Sequence, residues 1–180
     1  MRIDKENTIA IVIDIQERLL PVMSEFETVL KNTAALIEGL SELDIHLIVT
    51  QQYTKGLGQT VPEISGLING FSPIEKVSFS CYDEPAFVEA LEEEDSMNLL
   101  ICGIESHVCV LQTAVDLKDA GYRPIVVFDC VSSRKESDKQ LALERYRHEG
   151  IMVTSYESIL FELTRTSKSP HFKAISKIVK

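Results

Sequence analysis

The stretch Met97-Asn-Leu-Leu-Ile-Cys-Gly-Ile-Glu-Ser-His-Val-Cys-Val-Leu-Gln-Thr-Ala-Val-Asp-Leu-Lys-Asp-Ala-Gly121 changes its hydrophobic period part-way along. Its first part is a short apolar run closed by Gly103, too short for a stable helix, and it reads as a buried strand. From Val108 onward the apolar positions Val110, Ala114 and Leu117, with Leu111 and Val115 beside them, form a helical face that ends at Gly121. Cys109 therefore follows a strand-to-helix turn and falls in the first turn of the helix. Backbone N–H groups are unpaired there, and the positive end of the helix dipole favours a thiolate over a thiol. Two roles fit a cysteine so placed, a nucleophile or a small buried hydrophobe.

Working outward, Thr8 to Asp14 is a nearly unbroken β-branched run, as expected of a strand buried on both faces of a parallel sheet, and it ends in the carboxylate of Asp14. Ser24 is placed to cap a helix whose apolar positions are Phe26, Val29, Leu30, Ile37 and Leu40, and a strand over His46 to Thr50 completes a βαβ unit. Gln51 to Pro73, interrupted by Gly56, Gly58, Pro62, Gly66 and Gly70, reads as a long loop of the kind that is commonly functional. A short strand over Glu75 to Ser80 and a helix over Glu84 to Leu91 lead into the central stretch. After it come a strand at Pro124 to Phe128, a helix from Ser137 to Glu149, a strand at Ile151 to Thr154 and a helix from Tyr156 to Leu163. A last segment beyond Pro170 carries Phe172, Ile175 and Ile178 at helical spacing.

Strands alternating with helices predict an α/β fold, a parallel sheet with helices on both faces. Ligands in such folds bind beyond the carboxyl ends of the strands. Asp14 ends the first strand, Lys76 lies near the third and Cys109 follows the fourth, so three reactive groups converge on that edge. Neither a Gly-x-Gly-x-x-Gly nor a Gly-Lys-Ser/Thr phosphate loop is present, so no nucleotide cofactor is implied.

The 180 residues are read as one domain spanning 1–180, with 44% hydrophobic content to fill its core. With 18 basic against 28 acidic residues, a formal net charge of −10 and no basic run, nucleic acid and anionic membrane surfaces are not the expected partners. The four cysteines, Cys81, Cys102, Cys109 and Cys130, lack the spacing of a zinc site or a disulfide framework and suit the reduced thiols of a cytoplasmic protein. The segment Met1 to Asn7 has no apolar signal-peptide core, and no apolar run approaches membrane-spanning length.

Cysteine, carboxylate and lysine suffice for attack on a carbonyl. The thiolate adds, the carboxylate takes the thiol proton and returns it to a leaving amine, and the ammonium holds the pair in register. Backbone N–H groups around Glu105 and Cys109 are candidates to receive the oxyanion. Taken singly, an Asp at a strand end more often caps or pairs, and a lone Lys is usually solvated; their joint placement is what points to a site.

Gly103-Ile104-Glu105-Ser106-His107-Val108-Cys109-Val110, Ile13-Asp14-Ile15-Gln16 and a lysine before Phe79-Ser80 resemble the isochorismatase-like cysteine hydrolases, from Ile9 into the tail. The likeness is strongest to the branch of isochorismatase domain-containing proteins, through Gln52-Tyr53-Thr54-Lys55-Gly56-Leu57-Gly58, Val61-Pro62-Glu63, Leu111-Gln112-Thr113-Ala114 and Phe161-Glu162-Leu163. It implies a three-layer α/β/α sandwich around a mostly parallel six-stranded sheet, with Asp14, Lys76 and Cys109 as the catalytic triad. It also implies a cis peptide between Ile104 and Glu105 that aims the Glu105 N–H at the oxyanion.

Two departures narrow the substrate. Nicotinamidase-type members carry an Asp-x-His metal pattern after the second strand, where this chain has Gln51-Gln52-Tyr53, so no metal or other cofactor is expected. Isochorismatases that cleave a vinyl ether lack the cysteine, so Cys109 favours a small amide, imide or related acyl substrate. Gln16, Tyr53, Phe79, Tyr82 and His107 are candidates to contact it, with core packing the rival for Phe79 and a structural role the rival for His107. Asp129, at the end of the fifth strand, is expected to bind the Ser132-Ser133-Arg134 turn. Two other readings stay open: a silent binding or regulatory protein that retains the triad, and a redox-sensing Cys109, which wants a resolving thiol nearby. The apolar tail face predicts a homo-oligomer.

Overall fold

Six runs rich in aliphatic and β-branched residues pair into one sheet. They are β1 (Thr8–Ile13), β2 (Leu47–Gln52), β3 (Ile74–Lys76), β4 (Asn98–Ile104), β5 (Arg123–Ser132) and β6 (Met152–Thr154), in the order β3-β2-β1-β4-β5-β6. The computed structural model describes residues 2–180. Every strand pairing is parallel, so the sheet expected to be mostly parallel is parallel throughout. The connecting helices are α1 (Phe26–Glu42), α2 (Thr54–Leu57), α3 (Pro62–Ser65), α4 (Pro85–Glu92), α5 (Leu111–Asp119), α6 (Glu136–His148), α7 (Tyr156–Thr164) and α8 (Phe172–Ile178).

Strands β1 and β4 are buried at every residue, because successive side chains enter different layers and both layers are filled. Ala10 and Val12 pack with Leu36, Ile37 and Leu40 of α1, Ile159, Leu160 and Leu163 of α7, and Ile175 of α8. Ile9, Ile11 and Ile13 pack with Phe87 and Leu91 of α4, Val110, Ala114 and Leu117 around α5, and Ala142 and Tyr146 of α6. Each fully buried Leu, Ile or Phe adds roughly 1.5–3 kcal/mol of apolar burial, which is why the sandwich closes on both sides. The strand order reverses between β1 and β4, and the crevice at their carboxyl ends is the expected ligand position of an open α/β sheet.

At the end of that crevice the two central strands touch. Gly103 has φ +120°, and a Cβ there would stand 2.0 Å from the Ile13 carbonyl oxygen, so only glycine fits.

Several boundaries differ from the sequence expectation. Ser24 does not cap α1; its N–H donates to the Ser133 carbonyl (2.9 Å), and Glu25 enters the helix from a left-handed conformation with no side-chain cap. The loop after β2 contains α2 and α3, single turns too short for a periodic pattern to reveal. Strand β3 stops at Lys76, because the chain turns back so that the Ser78 and Phe79 carbonyls reach the Lys76 ammonium.

Strand β5 runs on to Ser132 through a bulge: β4 advances from Ile101 to Gly103 while β5 advances from Val126 to Val131. Asp129 therefore lies inside the strand. Its Oδ1 accepts from the Tyr156 N–H (2.9 Å) at the start of α7, not from the Ser132 to Arg134 turn. Burial holds the Asp129 carboxyl above the ordinary value despite that hydrogen bond.

The tail is not surplus surface. Ile175 is fully buried, Ile178 packs on the α1 and α7 core, and the Phe161 and Phe172 rings lie 6.2 Å apart. Much of the apolar face expected to seek a partner is used within the chain, with Phe172 and Ile178 left half-buried. Among the described residues no helix is long and apolar enough to cross a membrane.

Candidate active site

The carboxyl ends of β1, β3 and β4 bring Asp14, Lys76 and Cys109 together. Asp14 leaves β1 with φ +53°, a left-handed exit that Asp tolerates better than most residues. Its Oδ2 accepts from Lys76 Nζ at 2.7 Å and its Oδ1 from the Thr50 hydroxyl at 2.8 Å. Both members of the ion pair have 0% side-chain exposure. The ammonium is surrounded by further oxygens: Gln52 Oε1 at 2.6 Å, the Ser78 carbonyl at 3.1 Å and the Phe79 carbonyl at 3.3 Å. Burial works against the Lys76 charge, but Asp14 and the neighbouring Cys81 and Cys109 sulfurs outweigh it, so its pKa stands above the ordinary lysine value.

Cys109 does not sit in a regular first α-helical turn. Ser106–Val110 form a π-helical turn ahead of α5, with the Val110 N–H donating to the Glu105 carbonyl at 3.2 Å. Burial pushes the Cys109 thiol up to about 12, Asp14 adds to this through its charge and through a hydrogen bond with the thiol, and Lys76 opposes it. Burial and the Asp14 charge thus oppose the thiolate that the helix dipole favours. With its thiol raised in this way, the sulfur carries its proton at neutral pH beside the Asp14 carboxylate, a pairing that can serve as nucleophile and general base. Cys109 is also the most exposed of the four cysteines, at 6%. All four are free, and Cys81, Cys102 and Cys130 are raised chiefly by burial.

The turn that carries Cys109 is fastened on three sides. Arg134 donates through its backbone N–H (3.2 Å) and Nε (3.1 Å) to the Glu105 carboxylate. The Tyr146 hydroxyl donates to the Ser106 carbonyl, and His107 Nδ1 shares a hydrogen bond with Ser133 Oγ at 2.9 Å. His107 Nε2 lies 4.0 Å from the Asp138 carboxylate, so both ring nitrogens face α6 and the loop before it; the structural alternative for His107 describes its place. The Ile104–Glu105 peptide is cis, as the resemblance implies.

Gln16 was expected to meet the substrate, but it is fully buried and its amide is engaged by backbone. Its Oε1 accepts from the Gln52 N–H (2.7 Å), and its Nε2 donates to the carbonyls of Gln52 (3.0 Å) and Gly58 (2.7 Å). Tyr53 and Phe79 border the site through backbone contacts with Lys76, whereas the Tyr82 N–H donates to Ser80 Oγ (3.3 Å) and its side chain packs on the layer of Phe87 and Leu91. The Tyr53 N–H donates to the Lys76 carbonyl (2.9 Å), and the Tyr53 and Phe79 side chains are 52% and 56% exposed.

Three residues at the site escaped the sequence reading: Thr50, which holds Asp14; Gln52, which holds Lys76; and Cys81, whose thiol lies 3.8 Å from Thr50 Oγ1. Polar Thr50-Gln51-Gln52 at the carboxyl end of an otherwise aliphatic strand was the available signal. Among the described residues no group of three or more His, Cys, Asp and Glu side chains is placed to hold a metal ion. Where nicotinamidase-type relatives place ligands, the Gln51 amide is engaged with the Thr60 N–H and hydroxyl, Thr54 and Gln59.

The model of the isochorismatase domain matches residues 8–158. The chain belongs to the isochorismatase family. Isochorismatase domain-containing protein 2 of Danio rerio is 35% identical over 178 residues, covering 99% of this chain and 89% of that one. Among solved structures, the MAR1 ribonuclease of Caenorhabditis elegans superposes with a TM-score of 0.93 at 35% identity, covering 99% of this chain and 92% of that one. The YcaC gene product of Escherichia coli, described as an octameric hydrolase of unknown specificity, superposes with a TM-score of 0.94 at 22% identity, covering 99% and 89%. This last likeness, within the isochorismatase-like folds, speaks for the architecture.

Proposed function

We propose that the protein is a metal-independent cysteine hydrolase that cleaves the C–N bond of a small amide, imide or related acyl substrate through a thioester. One observation carries the reading: Asp14, locked with Lys76 in a fully buried 2.7 Å ion pair, bears directly on the Cys109 thiol. As Cys109 Sγ attacks the carbonyl carbon, its proton passes to Asp14, the C–S bond forms and the oxygen becomes an oxyanion within reach of the Glu105 and Cys109 backbone N–H groups. Asp14 then gives the proton to the leaving nitrogen, the C–N bond breaks and the thioester remains. Water, deprotonated by Asp14, attacks the thioester, and the acid leaves as the thiol is restored. Lys76 holds the Asp14 carboxylate in place through its 2.7 Å contact and lends positive charge to the sulfur as it ionises.

The ribonuclease name of the C. elegans neighbour belongs to that protein. A net charge of −10 and the absence of a basic run favour a small substrate here. The proposal includes a cytoplasmic setting, supported by four unpaired thiols, and a homo-oligomer, supported by the octameric state named for the E. coli relative.

The test is a panel of small amides, imides and ureides, with an oligoribonucleotide alongside, offered to wild type and Cys109→Ala with and without a chelator. Wild type should turn over at least one small substrate, indifferent to the chelator and with an acyl adduct on Cys109 by mass spectrometry. Cys109→Ala should lose about a thousandfold or more, the scale of removing a covalent nucleophile. Equal turnover by Cys109→Ala, loss of activity to the chelator, or cleavage of RNA alone would overturn the proposal.

A further inference from the structure

We infer that Gln52 is a positioning residue for this site: its carboxamide oxygen holds the Lys76 ammonium in the place from which it acts on both Asp14 and Cys109. The inference rests on the reading of Asp14, Lys76 and Cys109 as the reactive trio and adds a fourth residue to it.

Lysine is the adjustable member of such a trio. Asp14 is short and fixed to a central strand, and Cys109 is fixed to a fastened turn, but Lys76 reaches the centre of the site on four methylene groups from a three-residue edge strand. An ammonium has three protons to give. One meets Asp14 Oδ2 at 2.7 Å, one meets Gln52 Oε1 at 2.6 Å, and the Ser78 and Phe79 carbonyls at 3.1 and 3.3 Å divide the third. The Gln52 contact is the shortest of the four, and it is the only neutral one supplied by a different strand.

The Gln52 amide cannot turn its nitrogen toward Lys76 without a second loss. Its Nε2 donates to the Val77 carbonyl at 2.8 Å, which leaves Oε1 facing the ammonium. The backbone of Gln52 is fixed in turn: its N–H donates to Gln16 Oε1 and its carbonyl accepts from Gln16 Nε2. Gln16 follows Asp14 by two residues, so a single chain of contacts joins the end of β1 to Gln52 and returns through Lys76 to Asp14. The ring closes on the residue where it starts. A neutral acceptor also suits the chemistry, because a second carboxylate there would compete with Asp14 for the ammonium and repel the forming thiolate.

The readout needs no substrate. Iodoacetamide alkylation of Cys109 at pH 8, followed by mass mapping, reports how readily the thiol ionises. The titratable and charged groups facing this pair are Asp14, Lys76 and Cys81. Gln52→Met keeps the length and removes the acceptor, and Gln52→Glu keeps an acceptor and adds charge. Both should slow Cys109 labelling at pH 8 about tenfold, the scale of one lost hydrogen bond to a charged group. Circular dichroism should stay at the wild-type spectrum.

Asp14→Asn is the control and should quicken labelling, because the Asp14 charge opposes the thiolate while Lys76 stays in place. If Asp14→Asn labels at the wild-type rate, the trio itself is wrong. If Asp14→Asn changes the rate and both Gln52 variants label at the wild-type rate, the trio stands and the role of Gln52 is overturned. A Gln52→Glu rate at the wild-type value with a slowed Gln52→Met would refute the argument for a neutral acceptor.

Discussion

Lys76→Met and Asp14→Asn break the same 2.7 Å contact, yet they should not cost the same. In Asp14→Asn the ammonium keeps Gln52 Oε1 at 2.6 Å and the carbonyls at 3.1 and 3.3 Å, so its three donors still find acceptors, and the Asn oxygen can still take the Thr50 hydroxyl. The expected loss is about 1–2 kcal/mol, the scale of one charge-assisted hydrogen bond. In Lys76→Met the carboxylate, at 0% exposure, keeps only the hydrogen bonds from Thr50 and the Cys109 thiol. A carboxylate that deep without its cation takes up a proton rather than stay charged. Starting from the ordinary carboxyl range near 4, protonation at pH 7 costs about 4 kcal/mol, or about 1.4 kcal/mol per pH unit. For a domain of this size the melting temperature should fall by roughly 8–16 °C, against roughly 2–8 °C for Asp14→Asn. The folded Lys76→Met protein holds a proton that its unfolded chain has released at pH 7, so its stability rises as pH falls toward 4. The gap to wild type should narrow by about 1.4 kcal/mol per pH unit. Urea denaturation of the three proteins at pH 7, 6 and 5 measures this. Equal losses in the two variants, or a Lys76→Met gap that acid does not narrow, would refute the reasoning.

Two further outcomes can be measured on the same protein. Gly103→Ala forces a Cβ to within 2.0 Å of the Ile13 carbonyl at φ +120°, combining overpacking with a left-handed backbone; a melting temperature lowered by at least roughly 6 °C, about 3 kcal/mol, is expected, and a wild-type melt would contradict the close approach. Alkali should unfold the protein early. Burial pushes Cys81 up to about 11 and Cys102 and Cys109 up to about 12, and lifts Cys130 well above its ordinary value, so above pH 9 the unfolded chain releases thiol protons that the folded chain retains. Stability should fall by about 5 kcal/mol between pH 8 and 10, with Lys76 adding to the loss above its ordinary 10.5; a urea midpoint that stays level to pH 10 would contradict this.

Much of this molecule was legible in the residues because its signals are local. The unbroken aliphatic run into Asp14 marks a central strand, and the change of period at Gly103 marks the strand, turn and helix that present Cys109. The rule that ligands sit at carboxyl ends then gathers Asp14, Lys76 and Cys109 without any contact map. What stayed hidden depends on partners far along the chain. Gln16 carries the same polar side chain whether it faces a ligand or the Gly58 carbonyl, 42 residues away, and only the folded backbone decides. Asp129 looked like the end of a strand because polar residues follow it, although the bulge in β5 carries the strand on to Ser132. The thiol of Cys109 was misjudged because position in a helix suggests a dipole, whereas desolvation and the Asp14 charge are larger effects and cannot be read from spacing.

The contact at Gly103 divides the site into a fixed half and an adaptable half. Asp14 and Cys109, the proposed base and nucleophile, follow two strands whose backbones meet with no side chain between them, so the spacing of those strand ends is set by main-chain van der Waals distance. The Lys76 side is made from the turns that follow β2 and β3, whose backbones meet Lys76 and where Tyr53, Val77 and Phe79 stand exposed. On the proposed function, reshaping those turns would alter which molecules enter without moving the two strand ends. A protein built this way can change its diet while keeping its chemistry, and substitutions that redirect it belong in those two turns.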